Sequence, residues 1–121
     1  MIDAVNRRDF EAALNAYAED AVCIAHLGIR SGTFKGREAV GRWFGEGLSA
    51  FGEDWHSDVE EVRESGDAVL LVMRNSGSGR SSGAPASERL SYVFTLKANK
   101  IAQVEVFESR TEALKAVGLQ G

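Results

Sequence analysis

The stretch GTFKGREAVGRWF, residues 32–44, decides how the whole chain is read. Gly32 and Gly36 bracket Thr33, Phe34 and Lys35, and Arg37 and Glu38 then open an apolar pattern. Val40, Trp43, Phe44, Leu48 and Phe51 recur at the helical period and predict a helix over 37–51, since positions three and four apart share one side of a helix. Gly41, Gly45 and Gly47 lower its intrinsic propensity and point to close backbone packing. Upstream, AVCIAH at 21–26 reads as a strand and residues 27–36 as a glycine-containing connection. Earlier still, Phe10, Ala13, Leu14 and Tyr17 form the stripe of a helix over 10–18, with Asp9 as its N-cap. The opening order is therefore helix, strand, loop, helix.

From Trp55 the apolar period changes to two, which predicts strands at 55–64, 68–75, 88–97 and 101–109. Short turns at Ser65-Gly66-Asp67 and Ala98-Asn99-Lys100 make neighbours antiparallel. Glu60 and Glu61 interrupt the alternation between Val59 and Val62, the mark of a β-bulge that bends its strand. Ser109 with Glu112 fits a capping box, and Gly118 is a helix stop. The segment SGSGRSSGAPAS, 76–87, reads as a disordered connection, with a mobile lid as the alternative. The class is α+β, with a curved antiparallel sheet wrapped around N-terminal helices.

At 121 residues the chain is expected to form a single domain spanning 1–121. A net charge of −4 and the lack of a basic face argue against nucleic acid. The cluster Arg30, Lys35 and Arg37 reads as a solvated rim, because no phosphate-binding glycine motif accompanies it. No apolar run is long enough for a membrane helix, and the charged N-terminus lacks a secretory h-region, so a cytoplasmic location is expected. Cys23, flanked by Val22 and Ile24, reads as a buried small hydrophobe. His26 and His56 lack ligand-spaced partners, and neither a metal nor a cofactor is expected.

The ordered elements resemble the nuclear transport factor 2-like superfamily, which includes ketosteroid isomerases and SnoaL-like polyketide cyclases. RRDFEAALNAYAEDAV at 7–22 resembles the family's G-D-x-x-A-x-x-x-x-x-A-x-D-A-V. FKGREAVGRWF at 34–44 resembles its G-x-x-A-I-x-x-F-F, and GAPASER at 83–89 its G-x-P-x-S-G-R. The resemblance covers almost the whole chain. It implies a cone-shaped, cystatin-like fold in which the helix after Gly36-Arg37-Glu38 crosses the concave face of the sheet, with the loop before it at the mouth of a pocket. Two departures accompany it. Relatives have a long first helix where only eight residues precede Asp9 here, and the isomerases' catalytic tyrosine falls in that stretch. Their two active-site aspartates have no match either, the nearest positions being Ala25-His26 and Tyr92. Steroid isomerisation is accordingly not carried over.

Strand parity nominates pocket residues, because positions two apart share a face. Leu90, Tyr92, Phe94 and Leu96 should point inward, as should Ala102, Val104 and Val106, whose row ends in Glu108, and Val22 and Ile24, whose row ends in His26. His26 and Glu108 are candidate bases and Tyr92 a donor to a carbonyl oxygen; the resemblance adds an acidic residue on the strand that carries Glu108. Candidate contacts to an apolar small-molecule ligand are Tyr17, Trp43, Trp55, Phe94, Val104 and Val106. This set suggests a cofactor-free isomerase, cyclase or dehydratase acting on a carbonyl compound, or else a non-catalytic binding or interaction module. Val93, Phe107 and either Leu70 or Val72 fall on the opposite face, where uncovered apolar surface predicts a homodimer.

Overall fold

The computed structural model describes residues 2–119. In chain order the elements are α1 (Ile2–Asn6), α2 (Phe10–Asn15), β1 (Tyr17–His26), a 3-10 turn at Gly28–Arg30, β2 (Gly32–Lys35), α3 (Arg37–Leu48), β3 (His56–Ser65), β4 (Ala68–Ser78), β5 (Pro85–Lys97), β6 (Lys100–Phe107) and α4 (Arg110–Ala116). The strands make one six-stranded sheet in the order β2-β1-β6-β5-β4-β3. All neighbours are antiparallel except β1 and β6, which run parallel with Val22 opposite Gln103 and His26 opposite Phe107.

The opening stretch folds around its second glycine. Gly36 sits at φ 96° and ψ 147°, a region essentially reserved for glycine, and its N–H donates to the Ala21 carbonyl at 2.7 Å. Arg37 then reaches back: its Nε and one Nη donate to the Tyr17 carbonyl at 3.0 and 2.8 Å. Far from standing on a solvated rim, Arg37 fastens the start of α3 to the start of β1. The connection 27–36 also contains β2, a short edge strand paired with β1.

Several expected boundaries move. Tyr17 begins β1 rather than ending a helix, because α2 stops at Asn15. The helix over 37–51 ends at Leu48, and Phe51 instead makes a bridge with Gly79 and is buried. The bulge in β3 is present, with Glu60 unpaired between Val59, opposite Met73, and Glu61, opposite Val72. A second irregularity, between the Thr95–Gln103 and Leu96–Ile101 pairs, brings Ile101 into the core beside Val104 and Val106 in place of Ala102.

Residues 76–87 are not a structureless connection. Ser76, Gly77 and Ser78 pair with Ser87, Ala86 and Pro85, so β4 and β5 extend into a long hairpin. Its tip is fastened: Asp54 accepts hydrogen bonds from the Ser78 N–H and hydroxyl, and Arg80 donates through its backbone N–H to the Ala50 carbonyl and through Nε to the Ser49 carbonyl. The Ser78 backbone bond, then its hydroxyl, holds the Asp54 carboxyl below the usual range. Polar composition suggested a structureless segment; backbone pairing and four hydrogen bonds near the tip give it a defined path instead.

The sheet has two apolar faces. On the inner face Ala21, Cys23, Ala25, Val104, Val106, Tyr92 and Phe94 pack with Val40 and Trp43 of α3. On the outer face Leu70, Val72, Val93 and Phe107 pack under Ala113 and Leu114 of α4. That helix starts with Ser109 Oγ accepting from the Glu112 N–H and stops at Gly118, φ 73°. A bidentate pair from Arg110 to Glu61, at 2.6 and 2.8 Å, ties it to β3 and lowers the Glu61 pKa. The residues expected to form a dimer face are thus covered by the chain's own helix, which removes the uncovered surface on which that expectation stood.

Candidate functional site

Between α3 and the inner face of the sheet lies a cavity of about 550 Å³, within the size range of small-molecule sites. Aromatic rings line much of it. Tyr17, Phe44, Tyr92 and Phe94 succeed one another with ring centroids 6.3, 6.0 and 6.0 Å apart, and Trp43 meets Phe44 edge-on at 5.1 Å. The first two helices add Val5, Phe10, Ala13 and Leu14. Gly41, Gly45 and Gly47 all face the cavity from α3. A Cβ on Gly41 would lie 2.8 Å from Leu14 Cδ2 and one on Gly47 2.5 Å from Arg30 Nη1, whereas one on Gly45 would meet nothing within 4 Å. Two of these glycines permit close approach, as expected, and the third leaves space.

One wall is polar. Ser57 Oγ donates to Asn75 Oδ1 at 2.6 Å, and Asn75 Nδ2 donates to Glu88 Oε1 at 3.2 Å. The Tyr92 hydroxyl joins this group through a hydrogen bond with Asn75. Asn6 fixes the far end, its Nδ2 donating to the Ser57 carbonyl while its Oδ1 accepts from the Ser57 N–H. Burial raises the Tyr92 pKa well above the ordinary phenol range, with the Asn75 bond opposing and the nearby Glu88 charge adding to the rise. Burial likewise raises Tyr17. Both phenols stay neutral at physiological pH and act as hydrogen-bond groups.

The candidate trio does not converge. Tyr92 is buried and lines the cavity. His26 lies on the other face of the sheet, stacked on Phe107 at 4.9 Å, with Nε2 2.7 Å from Glu105 Oε2. Its strand turns Ala21, Cys23 and Ala25 inward because small side chains fit beneath α3; Val22, Ile24 and His26 consequently point out. Glu108 follows the end of β6, is exposed and does not line the cavity. Among the ligand contacts, Tyr17, Trp43 and Phe94 line the cavity. Val104 and Val106 do not, being wholly buried in the core. Trp55 packs outside it against Phe10, with Arg8 3.7 Å over its ring.

Sequence reasoning missed Ser57, Asn75, Glu88 and Arg30. Asn75 and Glu88 sat at the frayed ends of predicted strands; their register, directly opposite each other, is the signal that the hairpin hides. Arg30 lines the cavity with its guanidinium 4.2 Å over the Trp43 ring. Cys23, buried beneath α3, has its thiol pushed up to about 11 by burial, with Arg30 pulling the other way. Among the described residues no group of three or more His, Cys, Asp and Glu could hold a metal ion, and no helix is long and apolar enough to cross a membrane.

Comparison with solved structures finds the same architecture repeatedly. A protein from Catenulispora acidiphila with a ketosteroid isomerase-like fold, solved with trimethylamine, superposes with a TM-score of 0.73 at 19% identity, covering 98% of this chain and 89% of that one. TerC co-crystallised with polyporic acid gives 0.75 at 18% identity, covering 96% and 90%. A putative polyketide cyclase from Sinorhizobium meliloti gives 0.66 at 29% identity, covering 88% of each. Curated proteins yield no match. The family model for the SnoaL-like domain matches residues 1–104, and with a helix-roofed cavity on the concave side of its sheet, this chain belongs to the SnoaL-like family.

Proposed function

We propose that the cavity binds a flat, mostly apolar carbonyl compound and that its polar wall catalyses a cofactor-free proton transfer, as in an isomerisation, cyclisation or dehydration. The observation that carries this is the hydrogen-bonded group Ser57–Asn75–Glu88 with Tyr92, set in an otherwise aromatic cavity. In this reading the base expected at Glu108 is Glu88. Its carboxylate takes a proton from the carbon next to the carbonyl, and the C–H electron pair moves to the carbonyl oxygen to form an enolate. The neutral Tyr92 hydroxyl stabilises that oxygen, and return of the proton at the same or a conjugated carbon completes the step. Asn75 positions both groups. The ligands named for the Catenulispora protein and for TerC are small molecules, which supports occupancy of the corresponding cavity here.

The test uses beta-tetralone, a flat ketone with acidic hydrogens beside its carbonyl. Binding is read from Trp43 fluorescence and catalysis from protein-dependent deuterium exchange at those positions by NMR. Exchange should be accelerated by the native protein and fall about 100-fold in Glu88→Gln and in Tyr92→Phe, the usual contribution of a positioned acid or base. Binding without accelerated exchange would establish the non-catalytic binder, a reading favoured by the aromatic lining alone; absence of binding would reject both.

A further inference from the structure

We infer that the ligand of this cavity carries an ionised oxygen group, a carboxylate or an acidic phenol or enol, that pairs with Arg30; the inference rests on the cavity being a ligand site. Arg30 ends the 3-10 turn before β2, and its side chain folds inward instead of into solvent. One Nη donates to the Trp43 carbonyl at 2.6 Å, and Trp43 Nε1 returns a hydrogen bond to the Arg30 carbonyl at 3.1 Å. Stacking over the indole then fixes the plane of the guanidinium.

Like Arg37 and Arg80, Arg30 has a backbone carbonyl for a partner and, among the described residues, no carboxylate, but of the three it alone lines the cavity. Arg74 and Arg89 both meet Glu60, and Arg110 meets Glu61; among the described residues no carboxylate forms an ion pair with Arg30. Its single carbonyl partner leaves most of its five N–H donors available. The helix makes room for it, since a Cβ at Gly47 would fall 2.5 Å from Nη1. Its charge is felt inside, lowering the pKa of both Tyr92 and Cys23 against the larger effect of burial. The other charged groups lining the cavity are accounted for: Glu38 and Arg42 are exposed on α3, and Glu88 is held by Asn75. A planar, preoriented guanidinium on an aromatic wall matches an oxyanion through paired hydrogen bonds. The mostly apolar lining makes that pairing worth more than at the surface. With the polar wall, this narrows the substrate class to aromatic carbonyl compounds bearing an acidic group.

The experiment compares naphthoate with naphthamide, alike in ring and size and different in charge, by calorimetry on the full chain. Native protein should bind the acid at least about 10-fold more tightly than the amide, the scale of a charge-assisted pair. Arg30→Met should abolish that preference while changing amide affinity by less than about twofold. Gly47→Ala keeps the charge but displaces the guanidinium, and should reduce the preference even if Arg30→Met does not fold. Equal affinity for acid and amide in the native protein overturns the inference and leaves the cavity reading intact. Failure of both ligands to bind overturns the two together.

Discussion

The two faces of one sheet are covered by two helices, and the helices differ in what they put against it. On the outer face α4 presents Ala113 and Leu114, both buried, and fills the surface it covers. On the inner face α3 presents Trp43 and Val40 to the core but Gly41, Gly45 and Gly47 to the cavity. One helix seals and the other roofs. The outer face is packed throughout, whereas the inner face is packed around Val40, Val104 and Val106 and open beside the α3 glycines, where a cavity forfeits contacts that a packed core would make.

The strongest way to break this contrast is to truncate one leucine on each side. Leu114→Ala should cost about 2–5 kcal/mol in denaturant unfolding, as for a buried leucine that leaves a new void. Leu48→Ala, at the existing cavity, should cost only about 1–2 kcal/mol because less surface is buried there. Equal losses would show that the cavity wall is packed as tightly as the outer face. Next in size, Asn75→Ala should cost about 1–3 kcal/mol by leaving buried partners unsatisfied. A loss below the resolution of denaturant titration would mean that water replaces Asn75.

Gly45→Ala sharpens the contrast in the other direction. Its new Cβ meets nothing within 4 Å, so recovered helix propensity should stabilise the protein by about 0.5–1 kcal/mol. A destabilised variant would place a neighbour there. The smallest effect concerns the acid response of the outer face. Arg110 holds the Glu61 pKa below its unfolded value, so the pair stabilises fully above the ordinary carboxylate range, near pH 4 to 5, and loses its contribution as pH falls towards the folded pKa. Being partly exposed, it contributes little in total. The Tm difference between wild type and Glu61→Gln, measurable near pH 6, should therefore shrink as pH falls below the ordinary carboxylate range; a constant difference would assign the effect to packing.

Periodicity located most of the fold. Strands 88–97 and 101–109 were within a few residues of β5 and β6, and parity placed Leu90, Tyr92 and Phe94 on the inner face. Parity failed on β1, where both faces are apolar: Val22 and Ile24 outweigh Ala21, Cys23 and Ala25 in hydrophobicity, but the space beneath α3 admits only the smaller set. It could not follow Glu108 either, because the strand ends at Phe107 and its alternation stops there. The polar wall was hidden by composition, since serine, glycine and alanine concealed a paired hairpin in which the ends of the two predicted strands, Asn75 and Glu88, meet on one rung. Arg30 resisted for another reason. Its partner Trp43 lies 13 positions away across a loop, and no local pattern tells an arginine at a rim from one folded inward.

The single parallel pairing, β1 beside β6, orders events as well as strands. The sheet from β3 to β6 is a run of hairpins that can zip from its own turns, while β1, paired early only with the short β2, must wait for its longer partner β6, made late. Until then the α3 roof, fastened to Tyr17 and Ala21 of β1, has no wall to close against. During synthesis an aromatic surface is consequently left wet, and the growing chain is most exposed to misassociation in the interval before its last strand emerges.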